Sequence, residues 1–406
     1  MNSSESNQSH ENGYPKQRPK LFQVITSPMS ANILLRGQLA YMREAGFDVT
    51  VISAPGDLLD QTAERERVST IGLEMDRNPN PYKDIVALLK LIRILRRHSP
   101  DIIHYSTPKA GFIGSIAARI AGVPIRIYTL RGMRADGLRG FAASALLAME
   151  KVACRFSHFT ICVSQSLRER AVELELDRPE KLFVLTPQSS NGIDVARFSR
   201  TADTAEQAMR LRKTLGLPDN TKVIGFVGRF SADKGSQELA EAFIELRKTH
   251  TDLRLLCIGP NEANSDLPEW VSKLIQSDPN VFSTGMLANP VPAYELIDVL
   301  VLPTYREGFP NVVLEAAAMG IPVVATNVTG CTDAVVDGAT GSLVEPKDSI
   351  ALASAIERYL TSEPLRKAHG DAARNRATND FQPQAVWNSL LTTYRAALAK
   401  KSSFDV

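Results

Sequence analysis

Two short stretches of this chain combine side-chain charge and backbone in a way that suits an anionic ligand. The first is Gly228-Arg229-Phe230-Ser231-Ala232-Asp233-Lys234-Gly235. The apolar run Val223–Val227 feeds it and a helical pattern follows, so Arg229 and Lys234 stand at a strand-to-helix turn. There a forked guanidinium can bind two oxygens while the ammonium adds a point charge, which suits a pyrophosphate. The turn lacks Gly-x-Gly-x-x-Gly, which argues against a nicotinamide cofactor. The second stretch runs from Pro303-Thr304-Tyr305-Arg306-Glu307-Gly308-Phe309-Pro310 into Asn311-Val312-Val313-Leu314-Glu315. A strand ends at Pro303 and a helix begins near Pro310, where proline sacrifices no needed amide. The opening amides of that helix form an anion site at the positive end of its dipole. Glu307 and Glu315 flank it, and carboxylates are good acceptors for neighbouring sugar hydroxyls. Glu315 stands among Val312, Val313, Leu314 and Ala316–Ala318, so its charge needs a partner. Taken singly, each signal is weak: a lysine near a helix start is often just solvated, and a loop glutamate is commonplace.

These residues need a scaffold of alternating strands and helices, and the sequence supplies it twice. In the first half the apolar strand candidates are Leu21–Thr26, Val49–Ser53, Ile102–Tyr105, Ile125–Thr129, Phe159–Val163 and Leu182–Leu185. Between them lie helical patterns, such as Tyr82–His98, where Ile85, Leu88, Leu89, Ile92 and Leu95 share one face and the basic residues mostly the other. The pattern restarts with strands at Val223–Val227, Leu253–Ile258, Val281–Thr284, Val299–Pro303, Val323–Thr326 and Gly341–Val344. Helices are expected at Lys234–Thr249, Asn311–Met319 and Ser349–Leu360. Such alternation predicts α/β architecture: parallel sheets covered by helices on both faces. The expected boundaries are a disordered polar tail over 1–19, an N-terminal domain over 20–190 and a C-terminal domain over 191–382. A last amphipathic helix over 383–406, with Val386, Leu390, Leu391 and Tyr394 on one face, is expected to pack back on the N-terminal domain.

In this order and at this separation, the motifs resemble glycosyltransferase family 4, retaining enzymes of the GT-B fold. The matching residues are Asn191-Gly192-Ile193-Asp194, Gly228-Arg229-Phe230 with Lys234-Gly235, and Glu307-x7-Glu315 around Gly308-Phe309-Pro310-Asn311. Pro303-Thr304, Gly320-Ile321-Pro322-Val323-Val324-Ala325-Thr326 and Gly341 agree as well. The resemblance spans roughly residues 20–400. It implies two Rossmann-like, doubly wound domains facing across a cleft, with the nucleotide diphosphate sugar held by the second. Arg229 and Lys234 would bind its pyrophosphate, Glu307 the transferred sugar and Glu315 the ribose. Gly228 and the amides of Gly308, Phe309, Asn311 and Val312 would line phosphate and sugar, and Gly259-Pro260 with Met286-Leu287 the base. On the acceptor side stand Ser27, Ser30, His104 and Lys109, although His104 could equally be a packed strand-end histidine. Arg131, where many relatives have histidine, joins Glu307, Arg229 and Lys234 as the catalytic set. The Ser27-Pro28-Met29-Ser30 turn looks like the subgroup that elongates lipid-linked oligosaccharides. Neither a cofactor nor a metal is required, because cations and amides steady the leaving group.

The bulk numbers fit that picture. At 406 residues the chain exceeds what one core supports, which favours two domains. Four scattered cysteines form no metal or dithiol pattern and favour a cytoplasmic setting. A net charge of +2 with 6% aromatic residues gives no support to nucleic-acid binding. No apolar run is long enough to span a bilayer. The basic helix Tyr82–His98, with Arg131, Arg134, Arg139, Lys151 and Arg155, nevertheless suits an anionic membrane surface on the inner face of the plasma membrane. The expected activity is transfer of a hexose or N-acetylhexosamine to a saccharide or lipid-linked saccharide in cell-surface glycan biosynthesis. A sugar-nucleotide epimerase and a non-catalytic sugar-nucleotide-binding protein remain as rival readings.

Overall fold

The computed structural model describes residues 18–76, 80–138, 140–260 and 266–401. Residues 1–17 of the expected tail, and Arg139, lie outside them. The first domain holds seven strands: β1 (Lys20–Ile25), β2 (Asp48–Ser53), β3 (Ser69–Gly72), β4 (Ile102–Ser106), β5 (Ile125–Leu130), β6 (Phe159–Cys162) and β7 (Leu182–Val184). They pair in the order β3-β2-β1-β4-β5-β6-β7, in parallel. The second domain holds β8 (Lys222–Val227), β9 (Leu253–Ile258), β10 (Val281–Gly285), β11 (Val299–Leu302), β12 (Val323–Thr326) and β13 (Gly341–Val344). Their order, again parallel, is β10-β9-β8-β11-β12-β13. Central strands such as β4 and β11 are buried throughout, which is why they read as continuous apolar runs rather than alternating ones.

Each sheet reverses its winding once, between β1 and β4 in the first and between β8 and β11 in the second. Ligands of such folds bind outside the carboxyl ends of the strands at this reversal. The loops after β8 and β11 carry the two motifs, so both fall at the switch point of the second sheet. Two elements go beyond the sequence reading. The edge strand β3 is only half-buried and shows no apolar alternation. The helix Glu363–Asp380 has a polar composition and buries mainly the small residues Gly370, Ala373 and Ala377. Gly370 lies so close to the chain that a Cβ there would come within 2.2 Å of the Gly320 carbonyl oxygen.

The chain crosses between domains twice, side by side. Ile193 N–H donates to the Phe381 carbonyl at 2.8 Å, and Gly192, at φ 70°, leaves no room for a side chain against Phe381 and Pro383. After the second crossing the helix Pro383–Ala399 lies on the first domain. Leu390, Leu391, Tyr394 and Ala397 enter its core beside Leu21, Ile25 and Leu39. Burying one such leucine contributes roughly 1.5–3 kcal/mol. Trp387 fills the space above Gly37 and donates to Asn191 Oδ1 at 2.7 Å, tying helix, linker and first domain together.

Candidate active site

The loop after β8 turns through a short 3-10 segment, Ala232–Lys234, and is closed by Gly235 at φ 68°. A Cβ on Gly235 would lie 1.9 Å from the Pro303 carbonyl oxygen, so glycine lets this turn press against the end of β11. That contact brings Lys234 onto Glu307, and Lys234 Nζ donates to the Glu307 carboxylate. Arg229 lies 3.8 Å from Asp233, and Arg306 pairs with the same carboxylate oxygen at 2.7 Å. Burial alone would raise the Asp233 carboxyl. The Ser231 hydroxyl and the cations Arg306, Lys234 and Arg229 outweigh it and hold Asp233 below the usual range. Asp233 and Arg306 were not assigned roles from sequence, although both lie inside the two motifs.

The helix Asn311–Ala318 starts at Pro310 without a side-chain cap, so its opening amides have no side-chain acceptor. Phe309 is buried and packs on Phe381 at 5.4 Å, so only its backbone faces the loop. Glu315 accepts from the Tyr294 hydroxyl at 2.6 Å. Burial raises its pKa, against the pull of that hydroxyl and of Arg197. Asn311 Oδ1 is buried without a partner. Glu315 and Asn311 both line an interdomain cavity of about 460 Å³ whose walls include Arg36, Asn191, Arg197 and Trp387. The positions expected to line a base lie elsewhere. Gly259 and Pro260 follow β9, and Met286 and Leu287 follow β10; none of them lines this cavity.

Across the cleft, Gly308 meets the end of β5 so closely that a Cβ would lie 2.0 Å from the Arg131 carbonyl oxygen. The Arg131 backbone therefore sits directly against the Glu307–Gly308 turn, while its guanidinium lies near Tyr128 and Tyr394. Its Nε and Nη1 are buried without hydrogen-bond partners, and burial brings its pKa down to about 10, which leaves it cationic at neutral pH. The Ser164 hydroxyl donates to the Gly308 carbonyl at 2.7 Å. Asp333 accepts from the amides of Gln165 and Ser166 at 3.2 and 3.3 Å, and from the Ser166 hydroxyl. An anion of the second domain thus caps a helix, Gln165–Glu173, of the first. No sequence signal marks these contacts, because they join residues far apart in the chain.

Two of the acceptor-side positions are engaged within the protein itself. His104 has both ring nitrogens engaged, with Tyr394 Oη and Thr129 Oγ1, each at 2.6 Å. Burial, and to a lesser extent Arg131, pushes its pKa down to about 3, so it is a neutral packing residue beneath the cleft. Lys109 is 5% exposed and pairs with Asp84 at 2.7 Å, fastening the helix Pro81–His98 to the helix Pro108–Ala121. An ammonium held that way is not offered to an acceptor. Ser27 and Ser30 lie half-buried at the end of β1, where the Thr26 and Thr107 hydroxyls, 2.6 Å apart, join two cleft-edge loops.

Comparison with known proteins accounts for both halves. Residues 221–362 match the family model described as glycosyl transferases group 1, and residues 32–187 the glycosyl transferase 4-like domain. The chain is 37% identical over 379 residues to the capsular polysaccharide biosynthesis glycosyltransferase CapM of Staphylococcus aureus, covering 93% of this chain and 97% of that one. It is 29% identical over 347 residues to the UDP-Gal:alpha-D-GlcNAc-diphosphoundecaprenol alpha-1,3-galactosyltransferase of Escherichia coli, covering 82% and 85%. Anabaena HepE, solved in complex with UDP and glucose, superposes with a TM-score of 0.79 at 20% identity over 93% of this chain and all of that one. Paired switch-point loops, two parallel sheets across a cleft and these family matches lead to one assignment: the chain is a GT-B glycosyltransferase, with a glycosyl transferase 4-like first domain and a group 1 second domain.

Proposed function

We propose that the enzyme transfers a hexose or N-acetylhexosamine from a uridine diphosphate sugar to a hydroxyl of a lipid-linked saccharide, with retention, during cell-surface polysaccharide assembly. The observation that carries this reading is the convergence of Arg229, Lys234, Glu307 and the uncapped helix start on one side of the cleft, where Gly308 meets the backbone of Arg131. An anion bound there would accept from the opening amides of the helix and balance the charges of Arg229 and Lys234. The diphosphoundecaprenol acceptor named for the Escherichia coli relative and the UDP held by HepE support the substrate classes.

In the reaction the sugar C1–O bond to the β-phosphate breaks and a C1–O bond to the acceptor oxygen forms on the same face. The acceptor proton passes to the departing phosphate. Arg229, Lys234, Arg131 and the helix amides steady the negative charge that builds on the diphosphate. Glu307 and Glu315 accept hydroxyls of the transferred sugar and the ribose. In this reading the fixed cations do the work of a divalent ion. The test is transfer from a panel of UDP-sugars to a prenyl-diphosphate saccharide in detergent micelles. Transfer from one UDP-sugar is expected. Donor-only isomerisation, or binding of every donor without transfer, would defeat the proposal.

A further inference from the structure

The two donor loops are joined by more than the Lys234–Glu307 contact. Asp233 reaches the loop after β11 with both backbone and side chain. Its carbonyl accepts from the Tyr305 amide at 3.0 Å and from the Thr304 hydroxyl at 3.2 Å. One carboxylate oxygen accepts from the Ser231 hydroxyl at 2.5 Å. The other accepts from Arg306 at 2.7 Å and lies 3.8 Å from Arg229. Asp233 and Arg306 are the chain neighbours of Lys234 and Glu307, so two charge pairs of opposite sense stand side by side. Sliding one loop by a residue would set Asp233 against Glu307, or Lys234 against Arg306. Like charges then meet, so the double pair fixes the register of the loops.

The two pairs differ in what a ligand does to them. A donor that takes up Lys234 with its diphosphate and Glu307 with its sugar competes with the bond between those two side chains. The Asp233–Arg306 pair is left to keep the loops in place. The first domain leans on the same pair. Arg306 Nε is buried without a hydrogen-bond partner, and a Cβ on Gly137 would lie 2.7 Å from it. Gly137 ends the short segment Arg134–Gly137, which Asp136 ties at 2.9 Å to Arg170, on the helix that Asp333 caps. Arg306 is thus covered by a part of the first domain that is itself anchored to the second.

We propose that Asp233 and Arg306 are positioning residues for transfer: they hold Arg229, Lys234 and Glu307 in register once the donor occupies the last two, and Gly137 presses that arrangement home from the first domain. Both roles rest on the UDP-sugar donor reading.

The experiment is UDP calorimetry and steady-state transfer to the micelle-dispersed acceptor with Asp233→Asn, Arg306→Gln, Arg306→Lys and Gly137→Ala. Asp233→Asn removes a negative charge from an anion site. UDP should then bind as well as before, or up to about fivefold tighter, the worth of one charge at about 4 Å in water. Its kcat should nevertheless fall, on the order of a hundredfold, as expected when reacting groups are misplaced by about 1 Å. Arg306→Gln should lower kcat alike, and Arg306→Lys should recover most of the loss. Asp233→Asn combined with Arg306→Gln should be no worse than either alone. Gly137→Ala lies outside both donor loops; it should push on Arg306 and lower kcat severalfold while Tm and UDP affinity hold. Normal kcat in the folded variants overturns the proposal, and so do additive losses in the double variant. A loss of UDP affinity in Asp233→Asn that matches the loss of kcat overturns it too, since the carboxylate would then serve only to build the site. Normal kcat in Gly137→Ala removes the first domain's part. A wild type that transfers from no UDP-sugar defeats the donor reading itself, whereas normal transfer by wild type and variants alike defeats only the role given to this pair.

Discussion

Arg131→Met should make the protein more stable and the enzyme much worse. The guanidinium has two buried nitrogens without partners, and burial brings its pKa from the ordinary arginine range down to about 10. Each pH unit of displacement corresponds to about 1.4 kcal/mol, so keeping this cation in the empty fold costs about 3 kcal/mol. Methionine has a similar reach and no charge to desolvate. Replacing an uncompensated buried charge by a packed apolar side chain should return about 1–3 kcal/mol. The same substitution removes the cation carried by the residue whose backbone carbonyl meets Gly308. That loss should cost about 2–4 kcal/mol of transition-state stabilisation, roughly 30- to 1000-fold in kcat/KM. The assays are thermal unfolding without ligand, UDP affinity by calorimetry, and steady-state transfer. Tm should rise while UDP affinity and kcat/KM fall. A variant that unfolds earlier, or one that transfers sugar normally, refutes the view that Arg131 waits for the donor's phosphate.

Lys234→Ala is expected to lower kcat/KM by about 2–4 kcal/mol, and Glu307→Gln to lower it without loss of fold. Because the two side chains touch, the double variant should lose less than the sum, and an additive cycle would break the pairing argument. Excess chelator should leave the transfer rate unchanged if Arg229, Lys234 and the helix amides carry the leaving charge; dependence on added magnesium would overturn that. Glu150 offers a pH test of the first domain. Burial pushes its carboxyl up to about 7, against the hydrogen bond it accepts from Tyr128 at 2.6 Å, and Oε1 has no partner. The folded state then keeps a proton that the unfolded chain loses near pH 4.3, so stability falls as pH rises through that window up to about 7. Glu150→Gln is expected to be the more stable protein above pH 7, by up to about 3 kcal/mol, with no advantage near pH 4; a constant Tm difference across that range would contradict it.

How much of this was legible beforehand depended on where the physics acts. Parallel strands such as β4, β11 and β12 are buried on both faces, so they leave continuous apolar runs that local reading finds. The loops after β8 and β11 were visible because Gly235, Gly308 and Pro310 punctuate them beside Arg229, Lys234 and Glu307. What the sequence hid is interaction across distance. Nothing around Asp333 announces that it reaches Gln165 and Ser166, and nothing around His104 shows that a hydroxyl from Tyr394, on the last helix, will occupy its Nδ1. Lys109 looked like a cleft cation because its loop is at the right edge, yet the pairing that buries it comes from Asp84 on another helix. The helix Glu363–Asp380 escaped because small residues, rather than a broad apolar stripe, make its contact.

These long-range contacts share a logic that bears on catalysis. The first domain presses the Arg131 carbonyl against Gly308 of the second, and the second lends the first an anion, Asp333, which caps the helix beginning at Gln165. Between these two exchanges sits Gly308, whose backbone touches Arg131 and whose carbonyl is held by Ser164. A side chain at Gly308 would push the two domains apart at the point where the donor phosphate is proposed to bind. The turn that carries Glu307 is therefore set by both domains together.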